Sequence, residues 1–249
     1  MKAMILAAGL GTRLRPLTDD RPKALVTVAG RTLLEIALCR LRAFGVREVV
    51  VNAHHYAEMI ADFLQTHDDF GMRIEISREE ELLDTGGGLK KAAPFFLGGG
   101  SLPEPFILHN VDVLSTIDLG SMMRFHAEHD ALATLAVQDR QTSRYLLFDP
   151  QNQLCGRRAG RDGESQLVRP AAQTQPLAFC GIHILSPRIF AKIEEEGAFS
   201  IISAYLRLAA RGERIVAFRA DESSWRDLGR PESILQAARE MRGGEHPAV

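Results

Sequence analysis

The sequence is poor in cysteine. Three occur in 249 residues, Cys39, Cys155 and Cys180, odd in number, far apart and at no metal-ligand spacing. That excludes a disulfide framework and a thiolate zinc site, and it fits a reducing, cytoplasmic location. No stretch approaches the roughly 18 consecutive apolar residues of a membrane span, so no membrane partner is expected. The opening apolar run, residues 4–8, is too short for a secretory signal and is soon followed by Arg13 and Arg15, where a signal would stay hydrophobic. Neither sign of charge is in excess: the formal net charge is −2. A nucleic-acid partner is therefore not expected, although a local basic patch could still hold a small phosphorylated ligand. Heptads, solenoid repeats and low-complexity tracts are absent, and only the tail GGEHPAV reads as a frayed end.

What is present is an alternation. Strand-like runs AMILAA, EVVVNA, RIEIS, FILHN and ALATLAV are separated by helical patterns over residues 32–45, 56–67, 86–96 and 118–130. Several of the runs are continuously apolar, as strands covered on both faces should be. Gly45 stands where a helix C-cap belongs, and Asp118 where an N-cap belongs. The pattern predicts an α/β fold with a doubly wound, mostly parallel sheet. The second half changes character. SRYLLFD, QLCGRR and LAFCGIHIL are short strand candidates joined by polar turns, predicting a smaller β-rich part packed beside the main sheet. Helices are predicted again at PRIFAKIEEEG and SIISAYLRLAARG, then a strand RIVAFRA and a helix from Pro231 to Arg242. No linker marks a boundary. The chain reads as one unit over 1–249, with a nucleotide-binding half at 1–137 and, at 138–249, a half for a second ligand together with the closing helices.

The first strand runs straight into Gly9, Gly11, Thr12, Arg13 and Arg15, and Lys23 follows Pro22 one turn later. In doubly wound sheets, ligands bind beyond the carboxyl ends of strands. Glycines let backbone N–H groups approach phosphate oxygens, and arginine offers a forked, charged donor. A P-loop would need Gly-Lys-Ser/Thr, which is missing. A dinucleotide loop would need a third glycine where Leu14 stands and a helix where Pro16 and the turn to Pro22 intervene. A plain strand-to-helix turn with solvated charges and a phosphate site of another kind both remain open on these residues alone.

The longer stretch MILAAGLGTRLRPLTDDRPKALVTVAGRTLLE resembles the opening signature of the sugar-1-phosphate nucleotidyltransferases: Gly-x-Gly-x-Arg, then Pro-Leu-Thr, then Pro-Lys-x-Leu and a small-residue turn. Further resemblances cover nearly the whole chain. The resemblance implies the Rossmann-like nucleotidyltransferase fold with a β-rich sugar-binding part. It implies that Leu6, Ala7, Ala8, Gly9, Gly11 and Thr12 hold a nucleoside triphosphate. Arg13 would then contact the β and γ phosphates, and Lys23 would lie between the α-phosphate and the sugar phosphate, both as catalytic groups. LLDTGGGLKKA resembles the family's turn against the base, implying Thr85, Gly86 and Gly87 there. HNVDVLS stands where the family has Asn-Gly-Asp, implying Asn110 near the sugar and Asp112 as a Mg²⁺ ligand. FCGIHILSPRIF resembles the strand beside the sugar, implying Gly181. WRDLGRPESI resembles the closing motif, implying Asp227 as the second metal carboxylate. The triple glycine and the lack of a carboxyl-terminal extension resemble the compact members that activate N-acetylmuramate 1-phosphate with UTP. The chain departs from the pattern at Val111 for glycine, Arg230 for threonine and Cys180 for threonine or serine. A family Glu-Lys-Pro segment is missing, and Arg169 in LVRP is its nearest stand-in. These departures bear on sugar identity more than on reaction class.

The implied reaction condenses a nucleoside triphosphate with a sugar 1-phosphate and releases pyrophosphate. Its nucleophile is already ionised, so no general base is needed; the obstacle is repulsion between two anions. Cations at Arg13 and Lys23 and Mg²⁺ between two carboxylates answer that need. Each residue also has a plainer reading: Asp112 as a turn cap, Asp227 as a surface turn or helix cap, Lys23 as solvated. The acidic run Glu79–Glu81 reads as a solvated loop, with Glu79 the member placed to accept from base or ribose. His54 and His55 read as structural. Arg144 and Tyr145 reach the sugar or belong to a hairpin core. A non-catalytic nucleotide-sugar sensor on the same fold is the alternative function, and a monomer or small homo-oligomer is expected.

Overall fold

The computed structural model describes residues 1–98 and 104–242, so the tail read as frayed lies outside the described residues. In chain order the elements begin with β1 (Lys2–Leu6), a small ribbon of β2 (Thr27–Val28) and β3 (Arg31–Thr32), α1 (Leu33–Ala43), β4 (Glu48–Ala53), α2 (Ala57–Thr66) and β5 (Arg73–Arg78). They continue with α3 (Asp84–Lys91), α4 (Ala93–Leu97), β6 (Phe106–Asn110), β7 (Val113–Ser115), α5 (Leu119–Glu128) and β8 (Ala133–Gln138). The second half adds β9 (Arg144–Phe148), β10 (Leu154–Ala159), β11 (Ser165–Leu167), β12 (Gln175–Leu185), α6 (Ile201–Ala210), β13 (Ile215–Arg219), β14 (Trp225–Asp227) and α7 (Pro231–Arg242).

Local chemistry accounts for many of the boundaries. Thr32 starts α1 by accepting the Glu35 N–H at 3.0 Å, and Gly45 leaves it with φ +84°. Asp118 starts α5 by accepting the Ser121 N–H at 3.0 Å, as expected. The single helix expected over 86–96 is instead two, α3 and α4, parted at Ala92 just before Pro94, which has no N–H to continue the ladder. A larger departure lies at PRIFAKIEEEG. Only Pro187–Ala191 coils, as a 3₁₀ turn. Tertiary ion pairs draw the acidic residues away: Arg207 takes Glu195 at 2.7 Å and Arg211 takes Glu194. The strands β7, β11 and β14 are additions that the sequence pattern does not announce.

The main sheet runs β5-β4-β1-β6-β12-β8-β13. All of its strands are parallel except β12, which runs against both β6 and β8. Alternate residues of one strand feed two different cores. Ile5, Val49, Val51 and Ile107 enter one, under α1, α2, α5 and α7; Met4, Val50, Phe106 and Leu108 enter the other, under α3, α4 and α6. Each fully buried side chain of this kind stabilises the fold by roughly 1.5–3 kcal/mol, so both faces must be apolar and the strands read as continuous runs. Strand order reverses at β1, whose neighbours are β4 on one side and β6 on the other. Such a switch point opens a crevice beyond the strand ends.

β12 joins the two parts of the molecule. Its residues 182–185 pair with β6, and its residues 175–177 pair with β9, which carries β10 and β11 outward. The bend between them falls at Gly181, whose φ is +73°. The hairpins are thus continuous with the main sheet through one shared strand. No helix among the described residues is long and apolar enough to cross a membrane.

Candidate active site

Two adjoining cavities open at the switch point, and Asn110 and Asp112 line both. The smaller, about 420 Å³, is lined by residues 6–9, Lys23, Asn52, Leu82 and Thr85 among others. The larger, about 780 Å³, extends toward β9, β10 and the start of α6 and takes in Arg13, Gly181, Trp225 and Asp227.

The glycine loop is held from beneath. The Ala7 N–H donates to Asn52 Oδ1 at 2.7 Å, and Asn52 Nδ2 donates to Glu79 Oε1 at 2.7 Å. Glu79 Oε2 in turn accepts the Leu83 N–H at 3.0 Å. Glu79 is 4% exposed. It is therefore not part of a solvated loop, and both its oxygens are engaged in tying the glycine loop to the entry of α3. Asn52, the polar end of an otherwise apolar strand, is the residue that the sequence reading missed here; an asparagine closing VVVNA was the available signal. Gly9 faces open space, whereas Gly11 has φ +66° and packs against Thr18, so a Cβ there would lie 2.9 Å from Thr18 Cγ2 and 3.2 Å from Lys23 Cβ. Arg13 lines the larger cavity, while Gly11 and Thr12 line neither. Arg15 turns to Asp19 at 3.5 Å, away from the site.

Lys23 begins a 3₁₀ turn fixed by Pro22, and its ammonium pairs with Asp112 Oδ2. Their side chains are only 12% and 15% exposed, so the pair is partly desolvated and each charge depends on the other for compensation. Asp227 reaches the same place by strand pairing. β14 runs antiparallel to β7 with Asp227 opposite Val113, and the Leu228 N–H donates to the Asp112 carbonyl at 2.8 Å. Gly229 reports how tightly the groups converge. A Cβ built on it would stand 2.6 Å from Asp227 Oδ1, 3.1 Å from Arg13 Nη2 and 3.4 Å from Asp112 Oδ2. Arg13, Lys23, Asp112 and Asp227 therefore share one crevice. Val111 donates its N–H to Leu6 at 3.2 Å and buries its side chain, extending the β1–β6 pairing without any left-handed backbone.

Other expected positions fall differently. Gly86 and Gly87 line neither of these two cavities; they let α3 press against residues 197–199, where a Cβ on Gly86 would overlap the Phe199 ring and one on Gly87 the Gly197 carbonyl. Thr85 lines the smaller cavity and accepts the Ile201 N–H at 3.0 Å. Gly181 brings Asn110 close: a Cβ there would meet Asn110 Nδ2 at 2.8 Å. Arg144 is exposed and lines the larger cavity. Tyr145 is buried in β9 and also lines that cavity. Arg169 is directed to Asp149 and Gln153 and lines neither cavity, so it does not stand in for a family lysine. His54 donates its Nδ1–H to the Glu79 carbonyl at 2.8 Å, a structural contact. Arg140 escaped the sequence reading. It stacks on Trp225 at 3.6 Å and donates to the Phe179 carbonyl at 2.8 Å, while burial pushes its guanidinium below its ordinary pKa.

The donor set suits a hard cation. Asp112 and Asp227 offer oxygen only, and their nearest oxygens are no farther apart than the 2.6 and 3.4 Å from Gly229 together allow. Among the described residues, no group of three or more His, Cys, Asp or Glu could hold a metal unaided. Two carboxylates completed by waters and substrate phosphates are what Mg²⁺ ordinarily takes.

A phosphate-sized crevice at a sheet switch point, with fixed cations facing paired carboxylates, is the outline of a nucleotide-phosphate transferase. The family model described as nucleotidyl transferase matches residues 2–243, and the chain belongs to that family. It is 38% identical over 245 residues to N-acetylmuramate alpha-1-phosphate uridylyltransferase of Caulobacter vibrioides, covering 94% of each chain. It is 35% identical over 237 residues to the Neisseria meningitidis serogroup B enzyme of the same name, covering 92% of this chain and 93% of that one. Mannose-1-phosphate guanylyltransferase 1 of Arabidopsis thaliana is 32% identical, with 96% of this chain matching 64% of that protein. UDP-glucose pyrophosphorylase from Acinetobacter baumanii shares the fold, with a TM-score of 0.78 at 20% identity over 99% of this chain and 94% of that one.

Proposed function

We propose that this chain condenses UTP with N-acetylmuramate 1-phosphate, or a close hexose relative, to give the nucleotide-sugar and pyrophosphate, using Mg²⁺ in the cytoplasm. One observation carries the reading: Arg13, Lys23, Asp112 and Asp227 converge on a crevice that joins two cavities. The smaller cavity takes the nucleotide, with residues 6–9 along its phosphates and Thr85 and Leu82 toward the base. The larger takes the sugar phosphate. A sugar-phosphate oxygen attacks the α-phosphorus, the bond to the bridging oxygen of the β-phosphate breaks, and pyrophosphate leaves. Lys23 exchanges its Asp112 partner for phosphate oxygens and neutralises the two anions as they approach, while Arg13 steadies the departing pyrophosphate. Mg²⁺ bound between Asp112 and Asp227 would supply further charge neutralisation on phosphate oxygens. Positioning and charge account for the rate, since the nucleophile needs no deprotonation. The names of the closer relatives favour uracil and N-acetylmuramate, and the similar coverage of both chains supports carrying that reading over.

The test is a pyrophosphate-release screen of UTP, GTP, dTTP and ATP against hexose, amino-sugar and N-acetylmuramate 1-phosphates, with and without EDTA. Release that needs both substrates and is stopped by EDTA is the expected result. Nucleotide binding with no pyrophosphate from any pair would turn the reading toward a sensor.

A further inference from the structure

The larger cavity holds more positive charge than a neutral sugar 1-phosphate needs. Beyond Arg13, four arginines line it: Arg140, Arg144, Arg157 and Arg158. Apart from Asp112 and Asp227, its one acidic lining residue is Glu164. None of the four arginines is in an ion pair among the described residues, whereas Arg207, Arg211, Arg219 and Arg226 elsewhere each meet a carboxylate within 3 Å. Arg157 donates to the neutral amide of Gln166 at 2.8 Å.

Two of the four are set up as fixed donors. Arg140 lies over the Trp225 ring at 3.6 Å and Arg158 over the Tyr145 ring at 5.6 Å. Register places Arg158 directly across from Tyr145 in the β9–β10 pair. Cation–π contact of this kind helps hold a guanidinium in place without neutralising its charge. Both residues also line a neighbouring cavity of about 180 Å³, so each spans two openings on the hairpin side.

We infer that Arg140 and Arg158 form a second anion subsite, and that it selects a sugar 1-phosphate bearing a carboxylate. Arg144 and Arg157 raise the local positive potential. The inference rests on the larger cavity being the sugar site. Its chemistry is distinct from that of the crevice: the 1-phosphate is met by Lys23 beside Asp112, and the carboxylate is met on the hairpin side. N-acetylmuramate 1-phosphate carries such a carboxylate on its lactyl ether; its lactyl amide is the same molecule without the charge.

The experiment compares the acid and the amide as substrates, and their binding by calorimetry, in the wild type, Arg158→Gln, Arg158→Lys and Arg140→Lys. The wild type is expected to favour the acid by roughly 10- to 100-fold in kcat/KM, the range of one charge-assisted hydrogen bond. Arg158→Gln should lower that ratio about tenfold or more, and Arg158→Lys should restore part of it. Reading the ratio within each variant separates selection from loss of fold. Equal use of acid and amide by the wild type, or a ratio that Arg158→Gln leaves unchanged, overturns the subsite. If no sugar phosphate turns over at all, the reaction reading fails, and the binding arm still decides the subsite: equal affinities for acid and amide refute it.

Discussion

Gly229→Ala isolates the ionic cluster from the fold that carries it. Gly229 is buried just after β14, and its N–H donates to Asp227 Oδ1 at 2.6 Å. Its φ is not among the positive ones, so alanine is allowed by the backbone and keeps the N–H. The new methyl would stand 2.6 Å from Asp227 Oδ1, almost an ångström inside ordinary van der Waals contact. What must move is the tip of an exposed side chain, which moves cheaply, and the Leu228 bond to Asp112 holds the strand in place. Stability should therefore change by less than about 1 kcal/mol, a surface-scale effect. The carboxylate, displaced by close to an ångström, should lose catalytic geometry, and a misplacement of that size costs roughly 10²-fold in rate. Initial rates of pyrophosphate release across a Mg²⁺ titration, beside a thermal melt, give both numbers. A rate within about threefold of wild type at saturating Mg²⁺ would refute the reasoning, because the methyl would then be filling space that the reaction does not use.

Asp112→Asn removes the negative partner of Lys23 and the charge of one of the two carboxylates proposed to hold the metal. Turnover should fall roughly 10²–10³-fold in a protein that is still folded by circular dichroism, and activity within tenfold of wild type would strike Asp112 from the metal assignment. Acid should unfold the protein through its buried histidines. Burial, with Arg40 nearby, pushes His109 down to about 3, burial and then His109 push His183 to about 3, and burial and then Arg188 push His126 to about 4. The unfolded chain, titrating near 6.5, binds more protons through that window. Stability is therefore lost as pH falls below about 6.5, by up to ~1.4 kcal/mol per pH unit for each histidine. Urea midpoints at pH 7.5, 6 and 5 should drop steeply, and a flat profile would contradict the burial.

Much of the site was legible because it is local. The glycine loop, Arg13 and Lys23 lie within one short stretch after the first strand, and the alternation of elements announces a doubly wound sheet; that the first strand sits at the switch point comes from strand pairing. What stayed hidden depended on partners distant in sequence. Glu79 looked solvated beside Glu80 and Glu81, and only its bonds to Asn52 and Leu83 draw it inside. Residues 187–197 have a helical pattern, but Arg207 and Arg211 take the acidic residues as partners. The close packing of Gly86 and Gly87 against residues 197–199 was likewise hidden, because its partner lies far along the chain.

By itself, then, the order of residues determined the layered α/β plan, the glycine-rich loop after the first strand and the family, because period, turn chemistry and contiguous motifs are properties of neighbours. Tertiary structure alone decided that Asp227 meets Asp112 and that Arg140 and Arg158 stand at one cavity, because strand pairing and burial are set by what the folded chain brings together, and no local spacing encodes them.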